Sequence, residues 1–423
     1  MNGGILATES GFLLGLHLLV GSVLWADGSG AIRRVFEFPG GRTSLSGVGG
    51  LARDARGRVY AADTQGQRLL VFSPEGRPLG EVGGDRTPYE RAGLNCIDLP
   101  GVLEDPNDVA VDQEGCVYVA CGEQFMKNGV QKFSAAGEHL ASFPSMGDPE
   151  GVFGGPRGLA LHPDGTLWVC DTLRHGLQVF DRQGGFVGFL GHPHSDPLTA
   201  PLGVAFLPGG EVLVAEGGKS RRLVVLTARG ALLRQFAPRT SPDAVPTQVS
   251  VWDEAVYVLE RYTTGSGVRV LRYDLDGQLR AVPIADELDL ARKVLAYLER
   301  SHPTTSAIQL RMANLYHYLL SDPRSLRVAA RHYRQALELD PELYEACWDL
   351  ADLELKMGHL ARARELYLRC LELRPEDDSA VLRLAALYQR QGDLEGARRL
   401  LRQACQARPQ SALLREEMER LEA

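Results

Sequence analysis

The chain has no closely paired cysteines, no excess of positive charge and no apolar run long enough to cross a bilayer. Each lack removes a class of protein. Its seven cysteines, at positions 96, 116, 121, 170, 347, 370 and 405, are odd in number and never form Cys-x-x-Cys. Disulfide frameworks and structural zinc sites need close, paired spacings, so neither is expected. Several cysteines stand where Ala or Val would serve in apolar runs (VYVAC, LWVCD, LYLRCLEL), which reads as buried, reduced thiols and a reducing compartment. Lys+Arg number 46 against 54 Asp+Glu, a net charge of −8. Phosphate contacts need the opposite balance, so nucleic acid is not expected as a partner. The phosphate-cradling, dinucleotide, zinc-hydrolase and nucleophile-elbow motifs are all missing from the sequence, and no cofactor is expected.

The apolar stretch Phe12–Trp25 (FLLGLHLLVGSVLW) is too short and too interrupted by glycine to span a bilayer comfortably, so no membrane span is expected. Its length would suit the apolar region of an export signal. However, Glu9 precedes it where such signals carry Lys or Arg. The competing reading, favoured by the repeats described next, is folded sheet. A cytoplasmic protein is expected, with export as the alternative if this stretch acts as a signal.

What is present is repetition. The 47 glycines and 23 prolines crowd into the first two-thirds, where short apolar runs lie between turns. The last third is rich in Leu, Ala and Arg. Copies of one unit begin at Gly49, Asn107, Arg157, Leu202 and Thr247, with a fainter N-terminal copy in LVGSVLWADGSGAIRRVFEF. Each reads as an apolar run, a D-x-x-G turn, a V-[YWL]-V-A-[DE] run, a polar hairpin, a V-x-V-F run and another Gly turn. Such runs of β-branched and aromatic residues are antiparallel strands joined by tight hairpins. Acidic landmarks fall at Asp27, Asp63, Asp171, Glu216 and Glu260, with Cys121 in the third copy. The spacing is near 45 residues, the length of a four-stranded propeller blade. One blade has two apolar faces and cannot stand alone, whereas six around an axis cover them.

The pattern, clearest in PRGLALHPDGTLWVCDTLRHGLQVF (Pro156–Phe180), resembles the NHL repeat of six-bladed propellers. The resemblance covers roughly residues 1–285. It implies that the acid ending the second run braces the next hairpin, as Asp63 with Arg68 and Glu216 with Arg221 or Arg222 would. His175 sits where the family often has Asn.

From Leu310 the period changes. Pro341, Pro375 and Pro409 are 34 residues apart, as are Gly358 and Gly392; Ala329, Ala363 and Ala397; Tyr333, Tyr367 and Leu401; and Ala336, Cys370 and Ala404. This is the tetratricopeptide (TPR) period, one helix–turn–helix per unit. Small residues let paired helices approach, and proline ends the second helix. In the first copy the inter-helix glycine is replaced around Asp322-Pro323-Arg324. The fold class expected is therefore β + α multidomain: a six-bladed NHL-like β-propeller over 1–285, a linker helix over 286–309, and a TPR α-solenoid over 310–423. The solenoid has three repeats and a C-terminal capping helix.

Helical spacing places Arg311, Asn314 and Tyr318 on one inner face, then Trp348, Asp352 and Lys356, then Leu382, Gln389 and Arg390. These are the candidate groove residues for a protein or peptide partner, with Trp348 as the anchor. The Lys and Asn set by which chaperone partners of this repeat class grip a C-terminal carboxylate is not reproduced. In the propeller, Gly84–Pro106 and Pro144–Pro156 are insertions able to present a second surface to a macromolecule or small ligand.

Two features point toward chemistry. His192 and His194, in a loop between the fourth and fifth copies, could offer two metal ligands but lack a third. Asn107-Asp108 would lie near the central channel, where six-bladed gluconolactonase-like and strictosidine-synthase-like enzymes hold a metal. Its counterparts Arg157-Gly158, Leu202-Gly203 and Thr247-Gln248 supply no carboxylate. The reading is thus an interaction scaffold with no catalytic or metal residue. The alternative is a metal-dependent hydrolase or lyase carrying a TPR recruitment arm, which at least three carboxylate, Asn or His side chains converging on the channel would favour.

Overall fold

The computed structural model describes residues 3–16, 22–36, 47–64, 66–83, 101–122, 129–143, 151–191, 198–236, 243–263, 267–301 and 305–422. Cys96, His192, His194 and most of both insertions lie outside the described residues. The chain divides into two compact units, Met1–Tyr297 and Leu298–Ala423. The division falls inside helix α1 (Glu287–Arg300).

The first unit is six antiparallel sheets of four consecutive strands each. The first blade is β1–β4 (Gly3–Thr8, Gly11–Leu16, Ser22–Asp27, Ile32–Val35) and the second β5–β8 (Val48–Arg53, Val59–Asp63, Arg68–Phe72, Pro78–Val82). The third is β9–β12 (Pro106–Val111, Val117–Cys121, Gly129–Phe133, His139–Phe143) and the fourth β13–β16 (Pro156–Leu161, Leu167–Asp171, Gly176–Phe180, Phe186–Leu190). The fifth is β17–β20 (Pro201–Phe206, Val212–Glu216, Leu223–Leu226, Leu232–Phe236) and the sixth β21–β24 (Ala244–Trp252, Ala255–Tyr262, Val268–Tyr273, Leu279–Ile284).

Second strands such as VYVAC and LWVCD are buried along their whole length, whereas fourth strands such as PLGEV and LLRQF are largely exposed. The reason is position: a second strand is flanked in its own sheet and covered by both neighbouring blades. The core therefore lies between blades. One layer joins Tyr60, Leu69 and Val71 to Val117, Val119 and Phe133; the next joins Tyr118, Val130 and Phe143 to Val169 and Phe180. Burying one such side chain contributes roughly 1.5–3 kcal/mol.

The ring closes without a shared strand. Each innermost strand adjoins those of both neighbouring blades, and β1 lies against β21 as well as β5. Phe12–Leu16 and Ser22–Trp25 form parts of β2 and β3, with Phe12, Leu13 and Leu14 buried. The sheet reading holds for those described residues. The reading of Asp27 does not. It ends β3 rather than β2, and its carboxylate closes the β3–β4 turn by accepting from Ser29 N at 2.9 Å and Ala31 N at 3.1 Å. The counterpart of Asp63 at the end of β2 is Leu16.

In the second unit, α2 (Ser306–Asn314) runs into a π-helical turn at Leu315–Leu320 and pairs with α3 (Pro323–Leu339). Next come α4 (Tyr344–Lys356) with α5 (Leu360–Leu373), then α6 (Asp378–Arg390) with α7 (Leu394–Ala407), and finally α8 (Ala412–Glu422). The periodic residues Ala329, Ala363, Ala397, Tyr333, Tyr367 and Leu401 are all fully buried. Gly358 and Gly392 turn with φ of 81° and 80°, whereas the first repeat turns at Ser321, φ 41°, three residues before the aligned position. Asp322 then caps α3 by accepting from Arg324 N at 2.9 Å, with Pro323 in the first turn.

Candidate binding surfaces

At the channel, the residues preceding the aligned buried positions Ile5, Leu51, Val109, Leu159, Val204 and Val249 of the six innermost strands are, in order, Gly4, Gly50, Asp108, Gly158, Gly203 and Gln248. Four glycines let the strands approach closely: a Cβ on Gly50 would stand 1.7 Å from Asp108 Oδ1, and one on Gly158 2.5 Å from Leu202 O. Asp108 accepts from Val109 N at 2.9 Å and from Leu159 N of the next blade at 3.0 Å. Burial raises its carboxyl to about 7 against these two bonds, which lower it. One position earlier, Asn107 donates to Gly122 O and Pro156 O and accepts from Arg157 at 2.8 Å. At these two positions the described strands bring one carboxylate and one Asn to the axis.

The acids ending the second strands are structural braces. Asp63 accepts from Gly66 N and Arg68 Nε, both at 3.2 Å. Asp171 accepts from Gly154 N, Gly155 N and Gln178 Nε2. Glu216 takes Thr199 N and Arg222 Nε at 2.6 Å, so Arg222 rather than Arg221 is its partner. Arg221 instead occupies the left-handed hairpin position, φ 43°, as His175 does at 57°. His175 Nδ1 accepts from Ala200 N at 2.9 Å. Asp112, Glu114 and Cys116 lie close enough together to suggest metal ligands. Asp112, however, is engaged in its own hairpin by Glu114 N, Cys116 N and Tyr118 OH. The Cys121 thiol is pushed up to about 12 by burial, and Cys170 likewise upward, as fits packing rather than reaction.

The solenoid distributes its nine candidate residues among different environments. Trp348, Leu382 and Gln389 line one cleft of about 790 Å³ together with Ser379, Arg383 and Glu417. Trp348 is half-buried rather than exposed, edge-on to Tyr367 at 5.5 Å and stacked on Tyr344 at 6.3 Å, so its ring is held rigidly. Tyr318, Asp352 and Lys356 form a second cluster. Tyr318 OH donates to Asp349 Oδ1 at 2.7 Å, and Lys356 Nζ lies 2.8 Å from Asp352 and 3.2 Å from His317 Nε2. Burial, with Lys356 adding to it, depresses His317 to about 4, while burial raises Asp349 to about 6 despite its bond from Tyr318. Asn314 faces inward and accepts from Tyr333 OH at 2.7 Å. Arg311 is half-buried and Arg390 exposed. The terminal helix α8, expected only to cap, supplies Glu417, Arg420 and Leu421 to the cleft wall. Its amphipathic pattern was the one available signal for that role.

A family model described as "NHL repeat" matches residues 153–180, and one described as "Tetratricopeptide repeat" matches 344–377 and 379–411. Human NHL-repeat-containing protein 4 is 33% identical over 115 residues, 27% of this chain and 85% of that protein. Mouse NHL repeat-containing protein 3 is 29% identical over 137 residues, 32% of this chain; the chain spans only 38% of that relative's length. A virginiamycin B lyase structure from Staphylococcus aureus aligns at 13% identity and a TM-score of 0.47, covering 67% of this chain and 84% of that one. With six blades in one unit, helix pairs at the 34-residue period in the other, the two repeat-model matches and the likeness to NHL-repeat-containing protein 4, the chain belongs to the NHL-repeat-containing proteins and carries TPR repeats after its propeller.

Proposed function

We propose that the chain is a protein–protein interaction scaffold whose solenoid holds an extended or helical segment of a partner. The observation that carries this reading is the cleft between α6 and α8, where a rigid indole, Leu382 and Gln389 meet a guanidinium from Arg383. A fixed aromatic beside an aliphatic side chain and polar hydrogen-bonding groups is the composition of an interface hot spot. The propeller provides a second surface, so that two partners are brought together. The described cysteines are free thiols, which suits a reducing, cytoplasmic setting.

The test compares partners cross-linked to the full chain with those of a Leu382→Ser/Gln389→Ala variant, both positions being at the cleft rather than in the fully buried core. Loss of at least one partner, with others retained through the propeller, is expected. Identical partner sets for the two proteins would remove the solenoid's role.

A further inference from the structure

Between the hairpins that join first and second strands in the fourth, fifth and sixth blades lies a groove of about 700 Å³, lined among others by His162, Phe206, Pro208, Val251, Trp252 and Asp253. Its aromatic floor is fixed: His162 meets Phe206 edge-on at 4.8 Å, and Phe206 meets the buried Trp168 at 5.6 Å. Trp252, in contrast, is 42% exposed at the end of β21. A two-residue turn, Asp253-Glu254, follows it at once, with Asp253 at φ 52°. Both carboxylates are exposed, and neither meets a cation among the described residues. Asp164 adds a third exposed carboxylate at the His162 end, 2.9 Å from its Nδ1. The nearby guanidinium of Arg234 is occupied by Glu211 at 3.6 Å.

An aromatic face beside unneutralised carboxylates attracts a cation twice, through the ring quadrupole and through charge. It repels phosphate for the same reason. Arginine suits such a place better than lysine, because its planar group stacks on the indole while its edge reaches a carboxylate. We propose that this groove docks an arginine-bearing segment of a partner protein, one guanidinium lying on Trp252 and pairing with Asp253 and Glu254. The proposal rests on the reading of the propeller as a binding surface and names the chemistry of its partner.

The full chain is titrated with a fluorescein-labelled peptide alternating arginine and leucine, and with its glutamate-for-arginine counterpart. The arginine peptide is expected to bind, more weakly as salt rises, and the glutamate peptide not to bind. Trp252→Ala should weaken binding about tenfold, and Asp253→Asn/Glu254→Gln by a similar factor; asparagine tolerates the left-handed turn at 253. Glu416→Gln/Glu419→Gln, exposed on α8, should leave binding unchanged. Absence of binding, or equal binding by the Trp252 variant, overturns the proposal. Equal weakening by the α8 variant would assign the attraction to net charge and overturn it as well. Loss in Leu382→Ser with Trp252→Ala unaffected would move the peptide to the solenoid, ending this proposal while leaving the scaffold reading in place.

Discussion

Asp108 belongs to the third blade, receives a backbone N–H from Leu159 of the fourth, and is pressed by the Gly50 backbone of the second. So enclosed a carboxylate is poorly solvated, and its folded-state value near 7 lies above the ordinary 3.8. Between those limits the native state holds a proton that the unfolded chain has released. Raising the pH therefore costs stability, and the loss is complete once the pH passes about 7. The full effect is on the order of 4 kcal/mol at most. Urea unfolding of the propeller should show wild type falling from pH 4.5 to 7.5 while Asp108→Asn changes less; parallel curves would refute the assignment. Position at the channel was legible at Asn107-Asp108, because the repeat aligns the first strands of the third to sixth blades. Asn314 shows the opposite case. Helical spacing put it on the groove row, but spacing cannot tell that Tyr333 of the paired helix claims its oxygen.

At the scale of elements, period proved more informative than local pattern. The 34-residue partners at the helix crossings (Ala329, Ala363 and Ala397; Tyr333, Tyr367 and Leu401; Ala336, Cys370 and Ala404) are all buried, because small residues there and bulky ones beside them are geometric necessities, whereas the periodic prolines and glycines stand exposed at the turns. The first blade was read one strand out of register. Second and third strands are both short apolar runs ending before a turn, so SVLWAD mimics VYVAC until all four strands are counted. The clasp around Trp348 was half legible: α6 announced Leu382 and Gln389, but the contribution of α8 depends on tertiary packing. The first TPR repeat departs more physically. Where later repeats use glycine, Ser321 adopts φ 41° with its N–H bonded to Tyr316 O, closing a π-helical turn. A non-glycine residue there costs about 1–2 kcal/mol, partly offset by the greater flexibility of unfolded glycine. Ser321→Gly should stabilise the solenoid by roughly 0.5–1 kcal/mol in chemical denaturation. A destabilised variant would mean that the side chain is needed at the turn.

Each unit, taken whole, has its own cooperative logic. A solenoid repeat touches only its neighbours, so its helices can open from an end at partial cost. The propeller has no free end. Gln248 accepts from Ile5 N of the first blade at 2.9 Å and donates to Gly49 O of the second at 3.1 Å, while Ser250 accepts from Ala7 N at 2.9 Å. Phe12 of the first blade packs on Tyr257 of the sixth at 5.2 Å. Detaching the first blade would break these links and expose apolar layers on both its sides, which makes local opening there nearly as costly as opening the ring. Native-state hydrogen exchange should accordingly find one shared ceiling of protection for β1, β5, β9, β13, β17 and β21. Gln248→Ala, which removes two of the links, should lower that ceiling for all six strands together, by about 1–3 kcal/mol. If β1 and β21 alone exchanged faster while the other four kept their protection, the ring would be opening at its seam, with the first blade a separable unit.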